Sequence, residues 1–363
     1  MARERTEEDV LEAIERRRRR PPVKLMDKHV TLSHGAGGKA SHTLIEALFL
    51  KELRNPLLEP LADSAILRPG NGAGPVLAFS TDSFVVTPLF FPGGDIGELA
   101  VNGTVNDLAM AGARPLWLSA GYIVEEGFPT DDLRRVAASM ARAAAAAGVA
   151  IATGDTKVVE RGKADGLYLS TSGVAVVEHD LSLSPAAIRP GDHVIVSGTL
   201  GDHGMAIMIA RGDLELELEL ESDTAPLHGA VSALLAATDG VRCLRDPTRG
   251  GLATVLNELA LAAEVAVVLD EASLPVRPEV NAACEILGID PLYVANEGKL
   301  VAVVAPDATE AALAALRADP VGRQTAVVGE VRDVPPGMVL LETAFGGSRV
   351  VDMLAGDPLP RIC

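Results

Sequence analysis

Two tracts of alternating strand-like and helix-like pattern, parted by a break rich in Ser and Pro, constrain this chain more than any other feature. In the first tract, residues 76–80, 116–124 and 167–177 read as strands, and 96–109 and 131–147 carry helical periodicity, with Gly148 placed to end the second helix. The break falls at 178–191, where Ser182, Ser184, Pro185 and Pro190 interrupt the pattern. The second tract reads as a strand at 193–197, helices at 205–211 and 251–263, and strands at 265–269 and 300–304. Glu and Leu alternate over 215–221 with period two, which reads as an edge strand or loop. A length of 363 residues fits two domains rather than one. The spacing therefore predicts a charged, disordered extension over 1–27, one domain over 28–180, a second over 181–334 and a tail over 335–363.

Composition narrows what such a chain does. With 48% apolar residues it can bury real cores, and with only 3% aromatic residues those cores must be built from Ala, Leu and Val. A net charge of −18 argues against a nucleic-acid binder, since phosphate recognition wants clustered Lys and Arg. The run Arg16–Arg20 reads as part of the solvated extension rather than as a binding arm. Cys243, Cys284 and Cys363 lie too far apart for a disulfide framework or a zinc spacing, which suits a reducing cytoplasm. The first residues show no apolar h-region and no small-residue cleavage site, so no signal peptide is expected, and no apolar run reaches membrane-spanning length, the apolar stretch 143–152 being too short. None of the seven histidines has metal-ligand spacing; His203, in Gly-Asp-His-Gly, reads as a loop residue near a helix start, and Trp117 as core.

The loop His34-Gly35-Ala36-Gly37-Gly38-Lys39 leads into a predicted helix and satisfies G-x-G-x-x-A. The preceding segment 28–33 is too polar for a buried Rossmann strand, and the Gly-Lys pair lacks the Ser or Thr of a Walker A loop. What remains is a flexible turn or a set of backbone amides free to face a phosphate, with Gly35, Gly37, Gly38 and Lys39 as candidates. More telling are Asp63, Asp82, Asp107, Asp155 and Asp246, each at the end or edge of an apolar element. One such aspartate is an ordinary cap or turn residue. Five suggest a hard-cation site, and Mg²⁺, which binds few carboxylates and bridges to phosphates, reconciles an acidic protein with an anionic nucleotide. Lys157, Lys39 and Arg249 offer direct cationic contacts.

Asp-Ser-Ala at 63, Thr-Asp-Ser at 81, Asn-Asp-Leu-Ala at 106, Gly-Asp-Thr at 154 and Asp-Pro-Thr-Arg-Gly-Gly at 246 resemble the ATP-site motifs of a superfamily. It includes aminoimidazole ribonucleotide synthetase, selenophosphate synthetase and thiamine-monophosphate kinase. The resemblance runs in order through nearly everything after residue 27. It implies an α+β, two-domain PurM-like (aminoimidazole ribonucleotide synthetase-like) fold with a flexible C-terminal tail, dimerising through the sheet of the first domain. It also implies that Asp63, Asp82, Asp107 and Asp246 hold Mg²⁺, and that Asn106, Asp155, Thr156 and Lys157 lie on the ATP. Within the superfamily, Pro360-Arg361-Ile362-Cys363 resembles the Pro-Arg-x-Cys ending of the HypE family of hydrogenase-maturation carbamoyl dehydratases, as do His34–Lys39 and 296–301. Selenophosphate synthetases carry their reactive residue near the glycine loop, and this chain has no cysteine before Cys243.

That family resemblance implies a chemistry. Cys363 accepts a carbamoyl group from a HypF-type carbamoyltransferase, ATP phosphorylates the carbamoyl oxygen, and loss of phosphate leaves S-cyanocysteine for a HypC–HypD iron scaffold. A thiolate is needed for the first step; the α-carboxylate of Cys363 disfavours it and Arg361 opposes that effect. Glu297 is the expected base, with Lys157 as the second candidate. Gly356, Pro358 and Pro360 favour an extended tail, expected to sample an outward and an inward position, with ATP favouring the inward one. Two other readings stay open at this point: a superfamily member acting on a soluble metabolite, which needs no terminal thiol, and a nucleotide-regulated docking protein without turnover.

Overall fold

The computed structural model describes residues 24–70, 74–212, 219–354, 356, 359 and 361–363. The segments 1–23 and 213–218, and with them most of the expected extension and of the Glu-Leu alternation, lie outside the described residues; 219–221 form no strand.

The glycine loop opens a short helix, α1 (Lys39–Leu44). The first domain then runs β1 (Ala65–Leu67), β2 (Val76–Phe84), α2 (Ile96–Met110), β3 (Ala113–Glu125), α3 (Thr130–Ala146), β4 (Ala150–Val159) and β5 (Leu167–Val177). The sheet order is β1-β2-β5-β3-β4, antiparallel except for the parallel pair β3 and β4. Asp95 caps α2 by accepting from the Gly97 and Glu98 amides at 2.8 and 3.1 Å. Of the 15 residues in α2, 13 are buried, so the helix is apolar on every side rather than amphipathic. One side lies on the sheet beside α3, while Ala109 and Met110 enter a core cluster with Leu227, Val231 and Leu234 of the second domain.

The helices cover one face of the first sheet. On the other, Phe79, Val174 and Trp117 stand in one cross-strand row. Trp117 is 54% exposed there, which corrects its expected place in the core: on a strand covered on one side only, alternation turned it outward.

The second domain comprises β6 (His193–Val196), α4 (Asp202–Arg211), α5 (His228–Ala237), β7 (Val241–Arg245), α6 (Gly251–Ala263), β8 (Ala266–Asp270), α7 (Pro278–Leu287), β9 (Val301–Val304), α8 (Thr309–Ala318), β10 (Ala326–Arg332), β11 (Met338–Glu342) and β12 (Ser348–Val351). Its seven-stranded sheet has the order β12-β11-β8-β10-β6-β9-β7. β11 and β12 complete this sheet, so its hydrogen bonding continues past Pro335, where the sequence suggested a tail. Helix α4 starts three residues earlier than its periodicity suggested, because Gly201 adopts the left-handed φ of 84° that turns the chain into it. His203 is therefore a fully buried residue of the first helical turn, not a loop residue.

Candidate active site

Four carboxylates are gathered from both domains. Asp63 precedes β1, Asp82 lies near the end of β2, Asp107 is on α2 and Asp246 follows β7. Ser80 ties two of these segments together, its hydroxyl lying 2.9 Å from the Asp63 carbonyl and 2.6 Å from Asp107 Oδ2. Burial and mutual repulsion push the acids up. Asp107 is held well above the usual carboxylate range by burial and then by Asp246, Asp82 and Asp63. Asp246 is pushed up to about 8 by burial and by Asp63. Asp63 rises only to about 6, since Arg245 Nε sits 2.9 Å from its Oδ1 and opposes the burial. Arg245 itself, also 2.8 Å from Glu258, went unread in the sequence; its Arg-Asp-Pro context gave the only signal.

Glu297 joins them from the loop before β9. It is 3% exposed, and burial, Asp82, Asp223 and Asp246 raise its pKa well above normal while Arg249 opposes them. Asp223 accepts from the Glu297 amide at 3.0 Å and pairs with Lys299 at 3.1 Å. Among the described residues no three acidic, His or Cys side chains converge as a ready metal cage. Mg²⁺ does not require one, because it takes one or two carboxylates with phosphate and water oxygens. Buried carboxylates that raise one another's pKa values fit a site where a cation supplies the missing charge.

The chain end is brought to this cluster by β2. Beyond Asp82 the strand ends at Phe84 and the chain runs on to Val85, whose amide donates to the Cys363 carbonyl oxygen at 3.0 Å, and to Thr87, whose amide donates to the Arg361 carbonyl at 3.2 Å. Arg361 bonds Thr87 Oγ1 at 2.7 Å and pairs with Asp165. Arg211 holds the Arg361 carbonyl at 3.0 Å. Cys363 is thus 9% exposed and docked, where the prolines suggested an unpaired tail. It lines a cleft of about 160 Å³ with Gly35, Arg249, Tyr293 and Ile362. Arg249 is the pivot: the charge on Cys363 is the largest influence raising its pKa, and Asp82, Glu297 and Asp107 also act on it.

The glycine loop packs against the same arginine. Gly37 has a φ of 77°, and a Cβ there would lie 2.5 Å from the Arg249 carbonyl oxygen, so only glycine allows the approach. Gly35 reaches the cleft, Gly38 abuts Leu354, and Lys39 is engaged with Asp352 at 2.5 Å.

The residues expected on the nucleotide lie in two places. Asn106 donates to the Ala225 and Glu297 carbonyls at 3.0 and 2.9 Å and accepts from the Leu227 amide at 2.8 Å. It is an interdomain clip, with its amide hydrogens committed to those two carbonyls. Asp155, Thr156 and Lys157 lie on β4, three strands from β2, or about 14 Å at the usual strand spacing. Lys157 pairs with Asp155 at 2.6 Å on the exposed edge, so within one chain it does not meet the acid cluster.

Residues 61–177 match the N-terminal domain, and 189–340 the C-terminal domain, of AIR synthase related proteins. The chain is 53% identical to the carbamoyl dehydratase HypE of Cupriavidus necator over 342 residues, 94% of this chain and 97% of that protein. It is 47% identical to the Escherichia coli carbamoyl dehydratase HypE, over 92% of this chain and 99% of that one. A crystal structure of HypE in complex with ATP superposes with a TM-score of 0.77 at 48% identity, covering 92% of this chain and all of the other. HypE in a HypE–HypF complex gives 0.81 at 46% identity, over 86% and 99%. The expected α+β, aminoimidazole ribonucleotide synthetase-like architecture stands, and with this identity over nearly its whole length the chain belongs to the carbamoyl dehydratase HypE family.

Proposed function

We propose that this chain is an ATP-dependent carbamoyl dehydratase that converts an S-carbamoyl group on Cys363 to S-cyanocysteine, the source of a cyanide ligand in [NiFe]-hydrogenase maturation. The observation that carries this reading is the docking of Cys363 against Arg249, at the edge of a buried carboxylate cluster that includes Glu297.

In the net reaction one oxygen moves from the carbamoyl carbon to phosphorus. ATP becomes ADP and phosphate, and the two amide hydrogens leave as protons. An amide oxygen is a hopeless leaving group until it is phosphorylated, which is why ATP is consumed. Glu297 takes an amide proton; its raised pKa makes it a stronger base than an exposed carboxylate. Arg249 faces the charge that develops between Cys363 and the acids. Asp82, Asp107 and Asp246, with Asp63 partly neutralised by Arg245, would hold Mg²⁺, which would offset their repulsion and that of the phosphates. Gly35, Gly37 and Gly38 border the nucleotide side of the cleft.

Asp155, Thr156 and Lys157 act in a homodimer formed through the open sheet face, where one copy's β4 approaches the other's cluster. The exposed row of Phe79 and Trp117 supports such a contact. HypE has been crystallised with HypF, and a HypF-type carbamoyltransferase loads Cys363 here; a HypC–HypD scaffold receives the cyanide. This work takes place in the cytoplasm. Among the described residues no helix is long and apolar enough to cross a membrane.

Intact-protein mass spectrometry of the S-carbamoylated chain, before and after Mg-ATP, tests the reading. Loss of one water mass from the C-terminal peptide, absent in Cys363→Ala, is expected. An unchanged carbamoyl mass with ATP bound would overturn it.

A further inference from the structure

We infer that His203 is the positioning residue for Cys363: through its hydrogen bond to the Ile362 carbonyl it seats the chain end in the docked position that dehydration requires. The inference rests on the reading of Cys363 as the carbamoyl carrier.

His203 is fully buried in the first turn of α4, edge-on to Phe91. Its Nε2 lies 2.6 Å from the Ile362 carbonyl oxygen and its Nδ1 2.8 Å from Ser222 Oγ. The tautomer follows from these partners. A carbonyl oxygen only accepts, so Nε2 carries the proton. Ser222 Oγ already accepts from the Thr224 amide at 3.2 Å, so its own hydrogen points to Nδ1. The ring is thus a neutral donor aimed at the peptide immediately before the cysteine. Burial disfavours the imidazolium in the same direction.

Two bonds therefore flank Cys363, one at the preceding carbonyl from His203 and one at its own carbonyl from Val85. Together they fix the peptide plane before the residue and the carboxylate after it, and so restrict where Sγ points. Without His203 the chain end stays held at Arg361 and at the Cys363 carboxylate, but the peptide between Ile362 and Cys363 is left free to rotate. Ser222 adds a second link, because it begins the segment whose next residue, Asp223, holds the Glu297 amide. The ring thereby sets the carbamoyl carrier and the expected base against one piece of backbone.

The test compares His203→Asn, whose amide is too short to reach Ile362, with His203→Gln, whose amide hydrogen extends to the place of Nε2–H. The first readout is the rate of Cys363 alkylation by iodoacetamide, assigned by peptide mapping; Cys243 and Cys284 are buried in the body of the protein. The second is single-turnover loss of water from the cyanate-carbamoylated chain with Mg-ATP. One buried hydrogen bond corresponds to a change in docked population on the order of five- to tenfold. Asn is expected to alkylate faster and dehydrate more slowly by that factor, with Gln recovering most of both at equal thermal stability. If His203→Asn does not fold, Ser222→Ala, which removes the group that fixes the tautomer, is expected to shift both readouts in the same sense. Wild-type alkylation in the Asn and Ala variants would overturn the assignment. The alkylation readout needs neither ATP nor a carbamoyl group. A chain that never dehydrates but still answers to His203 would therefore sink the functional reading and keep the seat.

Discussion

Arg249 faces Cys363 on one side and Asp82 on the other, its guanidinium 4.0 Å from the Asp82 carboxylate. This relationship joins the chain end to the acid cluster without a direct contact between them. Arg249→Lys keeps the charge but loses the planar fork that serves two directions at once. We expect dehydration to fall at least tenfold while carbamoylation of Cys363 is unaffected, measured by single-turnover mass spectrometry. Equal rates in Lys and Arg forms would mean that only charge matters there.

Glu297→Gln keeps the size and removes the base. General-base loss of this kind typically costs about 10²- to 10⁴-fold in rate. ATP binding, measured by calorimetry, should persist, since the neutral amide relieves repulsion with Asp82 and Asp246. Retained turnover would move the base elsewhere.

The acid cluster also gives a pH signature. Asp63 at about 6 and Asp246 at about 8 both stand above the ordinary 3.8, so the folded chain binds these protons more tightly than the unfolded one. Their contribution is present below the unfolded pKa and is lost as pH rises through the folded values. A cation competes with those protons. Mg-ATP should therefore raise the melting temperature more at pH 8 than at pH 6, by scanning fluorimetry; equal increments would remove the carboxylates from the cation's site.

Asn106→Ala separates a clip from a nucleotide ligand. Three hydrogen bonds vanish, two of them buried, and their backbone partners are left unpaired, which corresponds to about 2–4 kcal/mol. Chemical denaturation should register that loss, while the ATP affinity of the folded fraction changes little.

Trp117→Glu places a charge in the middle of the open sheet face. Light scattering should report monomers, and activity should fall with them. Mixing inactive Lys157→Ala and Glu297→Gln chains should restore partial activity, because a mixed dimer retains one intact pairing across the interface.

The sequence carried β5 and α6 to the residue, because a full-length apolar alternation or a strong helical face leaves little choice. It missed β4, whose Thr-Gly-Asp-Thr-Lys run is polar and exposed at an edge, so burial left no pattern to read. The carboxylates were visible as a set because each stood beside an apolar element. Arg249 was visible only as a charge, since its importance comes from what folding brings around it. The clip made by Asn106 was hidden for a related reason. The residue sits beside Asp107 in sequence, yet one helical step turns its side chain to the backbone of Ala225, Leu227 and Glu297 in the second domain.

Helix α2 has no side that faces water, and its far side is finished only by α5 and the segment around 225–227. A first domain made alone would leave that side bare, with Ala109 and Met110 uncovered and the amide of Asn106 unmatched. The two sheets thus mark two units of topology and a single unit of folding. The chain should melt in one transition, and its halves should be obtainable only together, by co-expression rather than by truncation.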